Sequence, residues 1–285
     1  MSLTICLSHD VDRTRKTFQY FSHSVKAVLK LDFRSFFYQF GSVFYENPYW
    51  QFEKIIEIEN SYNLKSTFFF LNETYPFKPF AIKTWPISVG YYNIKSKKIS
   101  GIIQKLDQQG WEIGLHGSYN SYKDFELLQK EKSDLEEIIS HRILGIRQHF
   151  LNMNSETWAL QKKAGFLYDS SLGFRDKAGY KNEKTDIFEP ESLPGFFVVP
   201  MSLMDMTVMN KKDPWGETEK LLDFAEKNKA IVVANWHHRV FNPKEFPNYP
   251  DIYIKLIKEG KKRNATFLTI GEYVQNQIIN RSGKI

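Results

Sequence analysis

Thr4-Ile5-Cys6-Leu7-Ser8-His9-Asp10-Val11-Asp12 is the stretch on which the reading of this chain turns. Its first four residues run apolar like a short buried strand, and the chain then delivers Ser8, His9, Asp10 and Asp12 within five residues. Asp10 and Asp12 stand two positions apart, so an extended backbone turns both the same way, and paired carboxylates repel unless a cation or a shared proton relieves them. A divalent metal is the economical answer, with one carboxylate as ligand and the other as general base beside it. A polar turn with Asp12 capping a helix is the plainer alternative on these residues alone.

Working outward, 285 residues at 42% hydrophobic can bury a full core, and α/β barrels of this length are commonly one domain, so 1–285 is read as a single catalytic domain. Net charge is +6 with both signs interspersed, a mild basic bias that favours anionic partners without naming them. The basic residues follow no nucleic-acid-binding module, and no nucleic-acid partner is expected. A lone Cys6 excludes a disulfide framework, apolar alternation from about the third residue leaves no room for a cleavable leader, and no apolar run approaches the roughly 20 residues of a membrane span. The expectation is a cytoplasmic protein, free or at the inner face of a membrane.

After Asp12 comes a basic, aromatic insertion at 13–45, in which Arg13, Arg15, Lys16, Lys26, Lys30 and Arg34 face Asp32 as the only acid. Its Phe and Tyr residues recur at near-helical spacing and predict one or two amphipathic helices. Such a segment serves either as a lid whose aromatics pack on the barrel, the commoner use, or as a contact with a membrane surface or lipid-linked substrate. A long loop with Pro76, Pro79 and Pro86 is expected at 73–98. Strands are expected at 64–71, 111–115, 143–147, 166–168, 196–203, 230–234 and 265–268, and helices at 49–62, 98–109, 122–141, 155–163 (capped by Ser155), 217–228, 253–263 and from 270. This alternation calls for a parallel sheet, closed at this length into a barrel of seven or eight strands. Asp10 and Asp12, Asn72, His116, His149, Asp169, Asp205 and His237 each follow a strand end. In a β/α barrel those ends share one face.

These stretches together resemble the NodB-like polysaccharide deacetylases of carbohydrate esterase family 4. His9-Asp10-Val11-Asp12 is similar to an Asp-x-Asp variant of the first family motif, and the resemblance implies Asp10 as general base and Asp12 as metal ligand. His116-Gly117-Ser118-Tyr119-Asn120 stands where the family has His-Ser/Thr-x-x-His, so His116 matches the first histidine while Asn120 replaces the second. Arg147-Gln148-His149-Phe150 stands for Arg-x-Pro-x-Phe/Tyr, implying that Arg147 orients the catalytic aspartate, with His149 in place of proline. Asn235-Trp236-His237 matches Leu-x-His and makes His237 the general acid, while 168–174 occupies the place of the fourth motif. A distorted (β/α) barrel of seven or eight strands and a divalent metal, Zn²⁺ first, follow from the likeness. The third protein ligand is open between His149, Asn120 through its amide oxygen, and Asp10; an imidazole suits Zn²⁺ better than an amide. Asn72, Asp169 and Asp205 are candidate contacts to sugar hydroxyls, with helix capping the alternative for the last two, and Tyr119 and Trp236 are candidate stacking platforms. The implied activity is metal-assisted removal of an N-acetyl or related acyl group from a sugar or polysaccharide precursor during assembly of a surface polysaccharide such as O-antigen or capsule. Hydrolysis of another C–N bond, and sugar binding without catalysis, are the alternatives.

Overall fold

A computed structural model of the chain describes residues 3–29, 31–44, 47–78, 80 and 82–282; Lys30, Tyr45 and Pro79 of the segments discussed above lie outside these. Nine strands follow in order, β1 (Thr4–Val11), β2 (Thr67–Leu71), β3 (Glu112–Gly117), β4 (Gly145–Gln148), β5 (Tyr168–Asp169), β6 (Phe197–Val198), β7 (Leu203–Met204), β8 (Ile231–Asn235) and β9 (Thr266–Leu268). The helices are α1 (Gln19–Leu29), α2 (Phe33–Gly41), α3 (Phe52–Ser61), α4 (Lys97–Gln108), α5 (Phe125–Ile139), α6 (Thr157–Lys163), α7 (Asp205–Val208), α8 (Pro214–Asn228), α9 (Tyr249–Lys262) and α10 (Ile270–Ser282). Every pairing between these strands is parallel, in the order β6-β5-β4-β3-β2-β1-β8-β7, with β9 beside the first half of β1.

The expected strand at 196–203 is two strands that form the sheet's opposite edges. Between them Val199 N–H donates to Asp169 C=O (2.8 Å) on one side and Ser202 N–H to Val233 C=O (3.1 Å) on the other, so this segment is the seam that curls the sheet into a distorted barrel. A second correction concerns α6, which is entered through Asn154 rather than Ser155: the Asn154 Oδ1 accepts from Glu156 N–H (2.9 Å).

Alternation along each strand divides the apolar residues into two cores. Ile5, Leu7, Phe68, Phe70, Leu115 and Ile146 face outward under the helices. Cys6, Phe69, Tyr168, Phe197 and Val233 face inward and are plugged from below by Ile270, Tyr273 and Val274 of α10. The Phe69 ring crowds β3 so closely that a Cβ at Gly114 would lie 2.6 Å from it, which is why no side chain stands two residues before His116. Above this apolar floor the same inward positions of β1 turn polar, as Ser8 and Asp10, with Asp12 next. The insertion after Asp12 forms the α1–α2 pair, and its aromatics divide: Tyr20 and Tyr38 lie toward Glu245 of the barrel, while Phe21, Phe33, Phe37, Phe40 and Phe44 are exposed. Among the described residues no helix is long and apolar enough to cross a membrane.

Candidate metal and active site

Asp12, His116 and His149, from the C-terminal ends of β1, β3 and β4, converge at the barrel mouth, each offering a ligand atom within 4.8 Å of the others. All three are buried. The His116 Nδ1 lies 2.8 Å from Arg147 C=O, to which it can only donate, so in the neutral ring Nε2 is the nitrogen free to ligate. That nitrogen faces Asp12 Oδ1 at 3.3 Å, and this buried oxygen has no hydrogen-bond partner. His149 Nε2 stands 3.8 Å from the same oxygen, and its Nδ1 is likewise without a partner. Burial drives the His149 pKa down to about 3, so the ring is neutral, as a metal ligand must be. Three potential ligand atoms, one carboxylate oxygen and two imidazole nitrogens, gathered at one buried point fit a divalent cation.

His149 is held there by unusual backbone. Phe150 and Leu151 follow it at φ +57° and +52°, left-handed conformations that non-glycine residues seldom adopt and that accumulate at functional sites. Its ring also stacks on Phe150, with centroids 4.1 Å apart.

Asp10 sits one step down the strand. Arg147 Nη1 donates to its Oδ1 (2.9 Å) and Asn235 Nδ2 to its Oδ2 (2.7 Å). Burial alone would raise this carboxyl, but Arg147, with His116 and His237 behind it, holds it below the usual range. Arg147 is itself held on every nitrogen: Ser8 Oγ and Asp10 Oδ1 share Nη1, Ser170 accepts at Nε and Nη2, and Phe69 lies 4.5 Å beneath the guanidinium. The 168–174 segment thus serves the site by tying down Arg147 and, through Ser171 Oγ, the Gln148 N–H (2.8 Å).

On the opposite side His237 Nδ1–H donates to Asp205, 2.9 and 3.0 Å from its two oxygens, and the His237 N–H donates to Oδ2 (2.7 Å). Burial, and Arg239 behind it, lower the His237 pKa, but Asp205 and Asp12 together outweigh them and hold it above the usual imidazole value. Its Nε2 looks across at Asp12 Oδ2 from 3.6 Å. The cleft between these groups measures about 280 Å³, with Met204, Met206 and Phe150 as apolar wall and Arg13 and Arg175 at its edge.

The other expected contacts fall elsewhere. Asp205 is engaged by His237 through both carboxylate oxygens, is fully buried and does not line the cleft. Asp169 is fully buried and accepts from Ser171, Gln161 and Trp158, so it braces the fourth-motif segment. Trp236 is also fully buried, its Nε1–H donating to Tyr249 C=O (3.1 Å), and cannot stack on a sugar. Asn72 donates to Asp134 of α5 (3.1 Å), away from the cleft. Asn120 heads a short turn at Ser121–Lys123 and does not line the cleft, which leaves His149 as the third donor. Tyr119 is partly exposed, edge-on to Phe150 (6.0 Å), and is the one expected platform still near the mouth. His238 is buried against Phe52, with its pKa driven to about 3 by burial, and is packing.

Sequence reasoning missed Arg239. Its Nη1 donates to Asp12 Oδ2 (2.5 Å), and against the opposing effect of burial it holds the Asp12 carboxyl well below the usual range. This fixes the carboxylate so that Oδ1 is the oxygen presented to the two histidines. A cation two residues after His237 was the only signal, and nothing local ties it to Asp12, 227 residues away.

The sequence matches no family model and no curated protein. Among solved structures the same fold occurs in a Mycobacterium smegmatis protein assigned as a polysaccharide deacetylase, with a TM-score of 0.62 at 16% identity over 98% of this chain and 91% of that one. Puue allantoinase superposes with a TM-score of 0.61 at 14% identity, covering 96% and 89%. A Pseudomonas aeruginosa PAO1 protein assigned as a polysaccharide deacetylase follows at 0.60 and 13%, covering 96% and 90%. The architecture is therefore the NodB-like one that the motifs lead one to expect.

Proposed function

We propose that this chain is a metal-dependent hydrolase that removes an N-acyl group from a sugar, a precursor of surface polysaccharide. The observation that carries the reading is the convergence of Asp12, His116 and His149 between an aspartate held by a buried arginine and a histidine held by a buried aspartate. Asp12, His116 and His149 would hold a divalent ion, Zn²⁺ in the first instance, which would supply Lewis-acid polarisation of a carbonyl and acidification of water. The chain's own residues supply the proton handling. Asp10, kept ionised by Arg147, takes the proton of the attacking water. His237, its pKa raised by Asp205 and Asp12, gives one to the departing amine from the other side of the cleft. Met204, Met206 and Phe150 keep bulk water from the reacting centre.

A second reading, hydrolysis of a different C–N bond, draws on His149 standing where the family pattern has proline and on the fold shared with an allantoinase. Protein stripped of metal and reloaded with Zn²⁺ should release acetate from N-acetylated sugars, and metal-free protein should not. Release of ammonia without acetate would move the assignment to the second reading. Sugar affinity untouched by Asp12→Ala, without turnover, would make the chain a binding protein.

A further inference from the structure

The α1–α2 pair is built inside out. Its face toward the barrel is polar: buried Lys16 pairs with Glu245 and Gln39, Gln39 Nε2 also donates to Glu245 (3.4 Å), and His23 Nδ1 approaches the same carboxylate at 3.5 Å. Asn47 bridges the base of the pair, donating to Thr14 C=O (2.5 Å) and accepting from Lys16 N–H (3.3 Å). Its outward face is apolar, with Phe21 77%, Leu29 79%, Phe33 62%, Phe37 69%, Phe40 64% and Phe44 76% exposed. A groove of about 440 Å³ between the helices is lined almost wholly by such side chains. A water-facing helical pair does the reverse. Arg15, just before α1 and near Tyr20 of the groove, and Arg34, next to Phe33 on α2, are exposed, and Asp32, the one acid of 13–45, is occupied in capping α2 through Ser35.

We propose that this hairpin docks the protein on an anionic lipid bilayer, its aromatic face entering the headgroup and upper acyl region while the arginines pair with lipid phosphates. Apolar area combined with positive charge is what interfacial binding by a short helical element requires, and the net charge of +6 favours the same surface. A second copy of the chain fits less well, since apposing two such faces would bring like-charged arginines together. Because α1 begins seven residues after Asp12, docking tethers the rim and its cleft to the bilayer, where an amphiphilic substrate would be presented.

The test is flotation of the full chain with vesicles of phosphatidylcholine alone or mixed with phosphatidylglycerol, which needs no catalysis and is independent of the hydrolase reading. Binding should require phosphatidylglycerol and weaken with salt. Phe21→Glu with Phe37→Glu should lower the bound fraction by about tenfold or more, while Phe224→Glu on α8, an exposed phenylalanine away from the hairpin, should not. Arg15→Glu with Arg34→Glu tests the face by charge alone and should abolish the lipid preference at unchanged melting temperature. No flotation with the anionic vesicles, or a stable dimer in solution that the phenylalanine variants dissociate, would overturn the proposal.

Discussion

His9 and Asp10 are neighbours on β1, yet they belong to two buried polar clusters of opposite character. His9 points out into the helix layer, where its ring nitrogens meet Glu59 Oε1 (2.9 Å) and Trp236 C=O (2.7 Å). Glu59 in turn accepts from Ser66 (2.9 Å), Trp111 (2.5 Å) and Tyr253 (2.6 Å). Every charged oxygen there has its donors, as a structural network demands. One residue on, the barrel side holds Asp12 Oδ1 and His149 Nδ1 without partners at equal burial. A saturated cluster has nothing left to offer a ligand; an unsaturated one whose polar atoms converge does. Glu131 of α5 is a third case, since it accepts from Ser118 N–H (3.1 Å) while its Oε1 has no partner, and among the described residues no cation pairs with it. Burial pushes its carboxyl up to about 8, so it resolves the conflict by keeping its proton.

Substitutions should separate these three situations. The largest effect is expected from Asp10→Asn, which should cut kcat by about 10³-fold while metal stoichiometry, read by atomic absorption, stays at wild type; Asp12→Asn should lose the metal itself. Next comes Glu131. Its folded-state pKa lies above the ordinary 4.5, so between pH 4.5 and about 8 the folded form holds a proton that the unfolded form has released. Stability should therefore fall by up to about 4 kcal/mol as pH rises through that window, and urea titrations of Glu131→Gln should show the slope removed. Breaking the saturated cluster with Glu59→Gln should cost about 3 kcal/mol of stability with metal binding intact, the mirror image of the Asp12 result. The smallest effect is expected from Asp205→Asn, about 10- to 100-fold in kcat with the His237 limb of the pH–rate profile moved to lower pH. An unchanged profile would show that Asp205 does no more than fill space.

The period-two alternation of an extended chain made the barrel and its rim legible: Asp10 and Asp12 had to share a face with each other and not with His9, and polar residues after successive parallel strands had to gather at one end. Local covalent geometry enforces both, so neighbouring residues suffice to read them. Partnership across the barrel is a different matter. That Arg239 grips Asp12, that Asp205 engages His237, that Asp169 and Trp236 are buried supports, and that the aromatic hairpin turns its phenylalanines outward all depend on which distant surfaces come within 3 Å of one another. Side chains of the same type fill either role, and only the packed chain, by leaving some donors satisfied and others bare, decided between them.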